Sequence, residues 1–189
     1  MAAVEARVRA TVCTANPHKL EEFRALFLDW ELELLAGADF PPEDGLTFTD
    51  NAKLKARYGR RVGPADRWML ADDSGIEVGA LGGGPGVHTA RWAEGRHVEK
   101  LLGELAGRDD RDARYVCELV AIEPDGTEVQ GTGVLEGTIA LTPAGDEGFG
   151  FDPLFIPRGE TRTVAELGDD WKAQHSHRAL AARALRDLI

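Results

Sequence analysis

Apolar and polar positions along this chain alternate or recur in patterns that predict strands interleaved with helices. Residues 7–14 alternate between the two types, which predicts a first strand. Asn16 and Pro17 then suit the N-cap and the first position of a helix. Behind them, apolar residues recur at helical spacing and define the inner face of that helix: Leu20, Phe23, Leu26, Phe27 and Trp30.

The middle of the chain continues the same alternation of elements. Thr47 or Thr49 can cap a helix that extends through Val62, with Leu54 and Tyr58 on its inner face. Residues 37–46 form a polar, proline-containing loop, and residues 82–86 form a glycine-rich turn. Strand patterns cover residues 31–35, 68–72 and 76–78.

The last part of the chain adds a hairpin and a terminal helix. Pro124-Asp125-Gly126 makes a turn between strands over residues 113–123 and 127–136. A short helix precedes the hairpin at residues 98–105, and a short strand follows it at 153–156. Ser176 caps a final helix whose inner face carries Leu180, Ala184, Leu185 and Leu188. These elements predict an α/β fold with a mixed sheet.

Composition narrows the class of protein. A chain of 189 residues fits one domain, with room for two lobes around a core. The formal net charge of -11 argues against a broad nucleic-acid surface, which needs a basic stripe. No apolar run approaches the length of a membrane span, and the N-terminal residues lack a signal-peptide pattern. We therefore expect a cytoplasmic protein in which Cys13 and Cys117 are buried, reduced thiols; the alternative is a disulfide between them.

Two adjacent acids, Asp72 and Asp73, directly follow an apolar run and precede Ser74 and Gly75. Carboxylates at a strand end indicate a divalent-metal site of the kind that supports phosphoryl chemistry. Consecutive strand residues point to opposite faces, so both acids reach one metal only if the strand ends between them. Ser74 and Gly75 favour such an end; the alternative is a capped turn. The loop acid Glu43 matters only if the fold brings it to this pair.

Three other segments carry candidate chemistry. The N-terminus of the first helix leaves backbone N–H groups for an anion, and Lys19 adds charge there; taken alone, it is an ordinary capped helix with a surface lysine. Phe149, between glycines, can stack on a nucleobase or fold into the core. Cations in residues 171–178 oppose the dipole of the last helix, which indicates either a bound acceptor group or a solvated basic face.

Together these segments resemble a known family. Residues 14–19, 47–57, 71–91, 148–155 and 163–178 carry its motifs in the family's order. The chain resembles the inosine triphosphate pyrophosphatases, which remove noncanonical purine nucleotides from the nucleotide pool. The resemblance implies a single domain over residues 1–189, with a long mixed sheet and two α/β lobes flanking a central nucleotide-binding cleft. It also implies a homodimer, a Mg²⁺ cofactor and no nucleic-acid or membrane partner.

The resemblance further implies a role for each motif residue. Asp73 is the metal-binding acid and general base, although Asp72 acting through a water is an alternative base. Glu43 is the second Mg²⁺ ligand, and Lys19 neutralises phosphate charge, together with Lys53 or Lys55. The residues that hold the substrate are Thr14, Ala15, Asn16, Pro17, His18, Lys19, Lys53, Ser74, Phe149, Gly150, Phe151, Asp152, Lys172, His177 and Arg178.

The implied reaction converts dITP, ITP or XTP to the monophosphate and pyrophosphate. Donors from Lys172, His177 or Arg178 would select the C6 oxygen of these bases over the C6 amine of adenine. Two alternatives remain: a related pyrophosphatase for pyrimidine or modified nucleotides, and a catalytically silent nucleotide-binding regulator. The family usually has glycine where this chain has Ala15, so this loop must adopt a conformation that alanine allows.

Overall fold

The structure, a computed structural model, describes residues 7–189 and contains a mixed sheet of six strands. The strands are β1 (Val8–Val12), β2 (Trp30–Leu34), β3 (Trp68–Val78), β4 (Asp112–Ile122), β5 (Glu128–Ile139) and β6 (Phe155–Pro157). Their order in the sheet is β2-β1-β3-β4-β5-β6. β1 runs parallel to β2 and β3, whereas β5 and β6 are antiparallel. The predicted α/β fold with a mixed sheet is confirmed.

Helices alternate with these strands. They are α1 (Pro17–Leu26), α2 (Phe48–Val62), α3 (Thr89–Trp92), α4 (His97–Glu104), α5 (Val164–Leu167), α6 (Asp169–His175) and α7 (His177–Arg186). The sequence patterns missed α3, α5 and α6, because helices of four to seven residues are too short to display a helical repeat. No helix within residues 7–189 is long and apolar enough to cross a membrane.

The chain divides into two compact units. The first unit contains the described residues up to Asp73, together with Glu118–Gly131 and Ala182–Ile189. The second unit contains Ser74–Cys117 and Thr132–Ala181. Each unit has a buried apolar cluster of its own: one around Met69 and Val120 in the first unit, and one around Phe155 in the second.

The predicted helix caps are present. The Asn16 side chain accepts a hydrogen bond from the His18 backbone N–H at 3.0 Å. Thr47, and not Thr49, caps α2, in a capping box with Asp50. The Ser176 hydroxyl accepts from the Ala179 N–H at 3.1 Å. Each cap satisfies an N–H group that the first turn of a helix leaves without a partner.

The predicted end of β3 between Asp72 and Asp73 is wrong. The strand continues through Ser74 and Gly75 as far as Val78. Its neighbour β4 is equally long, at 11 residues, and pairing with it offsets the weak strand propensity of serine and glycine. The two acids therefore lie within one strand, and the chain passes from the first unit to the second directly after Asp73.

The buried face of α2 also differs from the prediction. Leu54 and Tyr58 are only half-buried. The buried face carries smaller or polar residues, namely Asn51, Ala52, Lys55, Ala56 and Gly59, besides Phe48 at the helix start. The helix lies close to β1, because a Cβ atom on Gly59 would overlap the Sγ atom of Cys13. Close approach at Gly59 thus determines which residues of α2 face inward.

The terminal helix shows a similar difference. Leu185 is buried as predicted, but Leu188 lies beyond the end of α7 and is 62% exposed. Leu180 and Ala184 are only half-buried, and Ala179, Ala181 and Ala182 take most of the remaining buried positions.

Both cysteines are buried and neither forms a disulfide, as expected. Burial raises the pKa of the Cys13 thiol to about 12, against smaller lowering contributions from Arg60 and Lys55. Cys13 is therefore a small core residue with an inert thiol.

Candidate active site

The loop between β1 and α1 is held by its own side chains. The Thr14 hydroxyl accepts a hydrogen bond from the Asn16 N–H at 3.1 Å, and Asn16 in turn caps α1. Ala15, Pro17 and His18 are exposed around the start of the helix. Among residues 7–189, the non-glycine residue with a positive φ is Glu94, so Ala15 adopts the ordinary backbone conformation expected for alanine.

Lys19 points inward and is not the surface lysine that α1 alone predicts. Its Nζ atom lies 3.0 Å from Oδ1 of Asp72, and its side chain is only 13% exposed. Asp72 is fully buried. An ion pair this deep is kept only where each charge compensates for the desolvation of the other.

Asp73 contacts a different helix. Its Oδ2 atom accepts a hydrogen bond from Nδ2 of Asn51 at 2.9 Å. Its Oδ1 atom lies 3.7 Å from Nζ of Lys55, and the same ammonium lies 2.6 Å from Oε1 of Glu43. Asp72 thus contacts α1 and Asp73 contacts α2, as the alternation of side chains along a strand requires.

The fold therefore brings Glu43 and Asp73 to one ammonium group, although they are far apart in sequence. We call Lys19, Glu43, Asn51, Lys55, Asp72 and Asp73 the carboxylate–lysine cluster; all six belong to the first unit. Lys55 is the member that the sequence offered only as an alternative to Lys53. Lys55 is buried, and it lies on the same face of α2 as Asn51, which precedes it by one helical turn. Lys53 is half-exposed.

The charges of this cluster shift the pKa values of its members. Burial raises the pKa of the Asp73 carboxyl above its ordinary value, although Lys55, the Asn51 hydrogen bond and Lys19 oppose the rise. Burial alone would lower the pKa of the Lys55 ammonium, but Asp72, Asp73 and Glu43 raise it above its ordinary value. Lys55 therefore stays charged and serves as a counter-ion for the carboxylates.

The donor set suits a hard divalent cation. Carboxylate oxygens are the ligands that Mg²⁺ prefers, and Mg²⁺ commonly takes one or two carboxylates and completes its coordination with waters and substrate phosphates. Glu43 and Asp73 supply two carboxylates that converge on one positive charge. Within residues 7–189, no group of three or more His, Cys, Asp or Glu side chains could hold a metal ion. The residues present thus fit a partly hydrated ion and not a closed protein cage.

A second cluster surrounds Asp152, entirely in the second unit. Its Oδ2 atom accepts hydrogen bonds from the Phe149 backbone N–H and from Nζ of Lys172, both at 2.9 Å. The Tyr115 hydroxyl donates to Oδ1 at 3.2 Å. We call Tyr115, Phe149, Asp152 and Lys172 the Asp152 cluster. The sequence did not single out Tyr115, because an aromatic residue in an apolar strand looks like ordinary core.

Phe149 presents an aromatic ring outside the core. The side chain is 39% exposed, and the Lys172 ammonium lies 4.6 Å from its ring centroid. The alternative of a phenylalanine folded into the core applies instead to Phe151, which is buried and whose ring centroid lies 6.3 Å from that of Trp92. Gly150, between them, has a φ of 65°, a conformation that glycine adopts without strain.

The cations near the last helix are not a solvated basic face. Lys172 and Arg178 are 7% and 2% exposed. Arg178 donates a hydrogen bond from its guanidinium to the Ser74 hydroxyl at 3.0 Å. His177 stacks on Tyr115, with ring centroids 4.7 Å apart. Of the two alternatives, a solvated basic face does not apply to Lys172 and Arg178, because Asp152 and Ser74 accept their hydrogen bonds inside the second unit.

Comparison with known proteins identifies the family. A model of the Ham1 family matches residues 10–188. The chain belongs to the Ham1 family. Membership confirms the resemblance inferred from the motifs, and the match covers nearly the whole chain.

Ham1-family relatives match over similar lengths. The dITP/XTP pyrophosphatase of Bdellovibrio bacteriovorus is 41% identical over 191 residues, which covers 94% of this chain and 96% of that protein. The dITP/XTP pyrophosphatase of Streptomyces avermitilis is 43% identical and covers 96% of both chains. The structure of the Staphylococcus aureus Ham1 protein superposes with a TM-score of 0.82 at 33% identity, covering 95% of this chain and 97% of that one.

Proposed function

We propose that this Ham1-family chain is a nucleoside triphosphate pyrophosphatase. It hydrolyses the noncanonical purine nucleotides dITP, ITP, XTP and dXTP to the monophosphate and pyrophosphate. The observation that carries the proposal is the carboxylate–lysine cluster, in which two lysines and three carboxylates form ion pairs. The similarity to the dITP/XTP pyrophosphatases of Bdellovibrio bacteriovorus and Streptomyces avermitilis supports the same reaction.

In the first unit, the cluster holds the charged part of the substrate. Thr14 to Lys19, at the start of α1, bind phosphate oxygens through backbone N–H groups and the Lys19 ammonium. Glu43 and Asp73 hold Mg²⁺. When bound, this ion neutralises phosphate charge and lowers the pKa of a coordinated water. Lys53 is a further phosphate contact, and Lys55 keeps Glu43 and Asp73 near one another before substrate arrives.

The two aspartates divide the remaining work. Asp73 accepts the proton of the attacking water, because its carboxylate is not committed to a short ion pair: Lys55 lies 3.7 Å away. Asp72 is committed to Lys19 at 3.0 Å, and it holds that ammonium in place. This division favours Asp73 as the base and gives Asp72 an electrostatic role.

In the second unit, the Asp152 cluster and its neighbours bind the base. The Phe149 ring offers a face for stacking, and Gly150 and Phe151 shape the loop that presents it. Lys172, His177 and Arg178 supply N–H donors to the C6 oxygen, and Ser74 contacts the nucleotide. Adenine presents an amine at C6, so a buried donor facing it would lose its partner at a cost of about 1–3 kcal/mol.

We also propose that the whole of residues 1–189 acts as one functional domain of two lobes. The active form is a cytoplasmic homodimer that uses Mg²⁺ and binds neither nucleic acid nor membrane. The family resemblance supports these assignments. Light scattering coupled to size-exclusion chromatography tests the dimer: a mass of one chain across the micromolar range would contradict it.

Pyrophosphate release tests the function directly. The purified protein is incubated with Mg²⁺ and dITP, XTP, dATP, dGTP or dTTP, and pyrophosphate and monophosphate are measured. We expect the largest kcat/KM for dITP and XTP, with pyrophosphate and not orthophosphate as the product. Omitting the metal should abolish turnover, and the metal requirement is read by titration with Mg²⁺ and Mn²⁺.

The same assay decides between the alternatives. Preference for dTTP or another pyrimidine would identify the related pyrophosphatase. Binding of dITP without release of pyrophosphate would identify a silent regulator. If dGTP were turned over as fast as dITP, the pyrophosphatase reaction would stand, but a role in removing noncanonical nucleotides would not.

A further inference from the structure

Asn51 connects the two proposed metal ligands through a single buried amide. Its Nδ2 atom donates to Oδ2 of Asp73 at 2.9 Å. Its Oδ1 atom accepts from the Gly45 N–H, also at 2.9 Å. Gly45 lies two residues after Glu43 in the same loop. Asn51 is 1% exposed, and its hydrogen bond to Asp73 is buried.

The loop is fitted closely around this amide. A Cβ atom on Gly45 would lie 2.6 Å from Oδ1 of Asn51 and 2.7 Å from Cβ of Asp50. No other residue type therefore fits at position 45 without moving the loop or the amide. The fit indicates that the loop is held in one position on α2 by the Asn51 side chain.

We propose that Asn51 is a positioning residue that fixes Asp73 and the Glu43 loop relative to each other and thereby sets the affinity for the divalent metal. The inference rests on the proposed function for the identity of the two ligands. A neutral amide suits this task, because it donates at one end and accepts at the other without adding charge. A carboxylate would repel Asp73, and an ammonium would leave the Gly45 N–H without an acceptor.

The physical basis is the competition for Lys55. Its ammonium already forms a 2.6 Å ion pair with Glu43 and lies 3.7 Å from Asp73. Without the Asn51 donor, the Asp73 carboxylate is free to rotate toward Lys55, and without the acceptor the Glu43 loop is free to move. Partners that orient metal ligands typically contribute about ten- to a hundredfold to metal affinity.

Three variants of the full chain test the proposal. Asn51→Leu keeps the side-chain volume and removes both hydrogen bonds. Gly45→Ala sets a Cβ atom against the amide oxygen of Asn51 and so disturbs the loop end of the contact, while the Asn51 and Asp73 side chains are both retained. Asp50→Ala is the control: it lies in the same helical turn, and its side chain bonds Thr47 in the capping box.

Two readouts are needed. The first is the Mg²⁺ concentration for half-maximal turnover of dITP at saturating substrate. The second is hydrogen exchange of the backbone amides in residues 43–47, measured without metal or nucleotide. Melting temperature is recorded for every variant, so that loss of folding is separated from loss of positioning.

We expect Asn51→Leu to raise the half-activating Mg²⁺ concentration about ten- to a hundredfold and to accelerate exchange in the loop. Gly45→Ala should raise that concentration less, and the double variant should be no worse than Asn51→Leu. Asp50→Ala should lower the melting temperature and leave the Mg²⁺ concentration unchanged.

Unchanged metal dependence and unchanged loop exchange in a folded Asn51→Leu would overturn the proposal. Additive effects in the double variant would also overturn it, because they would show that the two ends act independently. Failure of the proposed function looks different: the wild-type protein would then release no pyrophosphate. In that case the exchange measurement still tests whether Asn51 fixes the loop.

Discussion

The carboxylate–lysine cluster and the Asp152 cluster both bury charge, but they are built differently. The first belongs to one unit and joins two helices to a strand through three carboxylates and two lysines. The second belongs to the other unit and gathers a single carboxylate, two aromatic rings and one lysine. The first suits phosphate and metal, and the second suits a flat heterocycle.

Under the proposed function, this difference separates reaction from selection within one chain. Charges in the first cluster would act on groups that every nucleoside triphosphate carries. Rings and donors in the second would act on the base, which differs between substrates. We therefore expect substitutions in the first cluster to slow all substrates alike, and substitutions near the second to change the ranking of substrates.

The largest effect should come from the proposed base. Asp73→Asn should lower kcat about 10²- to 10⁴-fold for dITP and XTP alike, because the amide cannot accept the proton of the attacking water. Pyrophosphate release at saturating nucleotide measures it. Asp125→Asn, in the exposed hairpin turn, is the matched control and should turn over normally. Undiminished turnover in Asp73→Asn would remove the role assigned to this residue.

Breaking the Asp152 cluster should lower the free energy of unfolding more than breaking an exposed ion pair does. Asp152→Ala removes the carboxylate that pairs with the buried Lys172 ammonium and accepts from the Phe149 N–H. The free energy of unfolding should fall by about 3–5 kcal/mol in urea titrations. Asp29→Ala breaks an exposed pair with Arg186 and should cost about 1 kcal/mol or less. Equal losses in the two variants would show that burial does not set the cost.

Selectivity should depend on Arg178. Arg178→Lys keeps the charge and loses the planar guanidinium that donates to Ser74. The ratio of kcat/KM for dITP over dATP should fall about ten- to a hundredfold, the equivalent of about 1–3 kcal/mol. Arg183→Lys, on the exposed side of the same helix, should leave the ratio unchanged. An equal fall in kcat/KM for dITP and dATP would show that Arg178 contributes to the reaction and not to the choice of base.

The smallest effect concerns pH and lies in the core of the first unit. In the folded state the pKa of Cys13 is about 12, above its ordinary value of 9.0. Above pH 9.0 the unfolded chain loses the thiol proton, whereas the folded protein keeps it until about pH 12. The free energy of unfolding therefore includes a contribution that is fully present below pH 9.0 and is lost as the pH rises toward 12. Between pH 8 and 10 the loss should be about 1 kcal/mol from this thiol.

Cys13→Ser isolates that contribution, because a serine hydroxyl does not titrate in this range. Between pH 8 and pH 10, the free energy of unfolding should fall less for the variant than for the wild-type protein. Identical falls would mean that the thiol ionises equally in both states.

Much of this arrangement could be predicted from the sequence, and the failures have physical causes. Asn16, Thr47 and Ser176 signal their helices because capping depends on a few adjacent residues. The course of β3 past Ser74 could not be predicted, because its neighbour β4 decides it. Whether Lys172 and Arg178 are solvated or bound to an acceptor stayed open for the same reason: their partners Asp152 and Ser74 are distant in sequence. The order of the motifs identified the family, but local sequence patterns alone did not predict which residues meet in either cluster.

The contact between Gly59 and Cys13 has a consequence for how this protein tolerates mutation. Gly59 follows Lys55 by one helical turn and Asn51 by two, on the same face of α2. Any larger residue there would push the helix away from β1 and carry the amide and the ammonium with it. A saturation-mutagenesis survey should therefore find position 59 as intolerant as the acidic positions, far from any reacting atom. In diverging sequences, we expect volume gained at position 59 to be matched by volume lost at position 13.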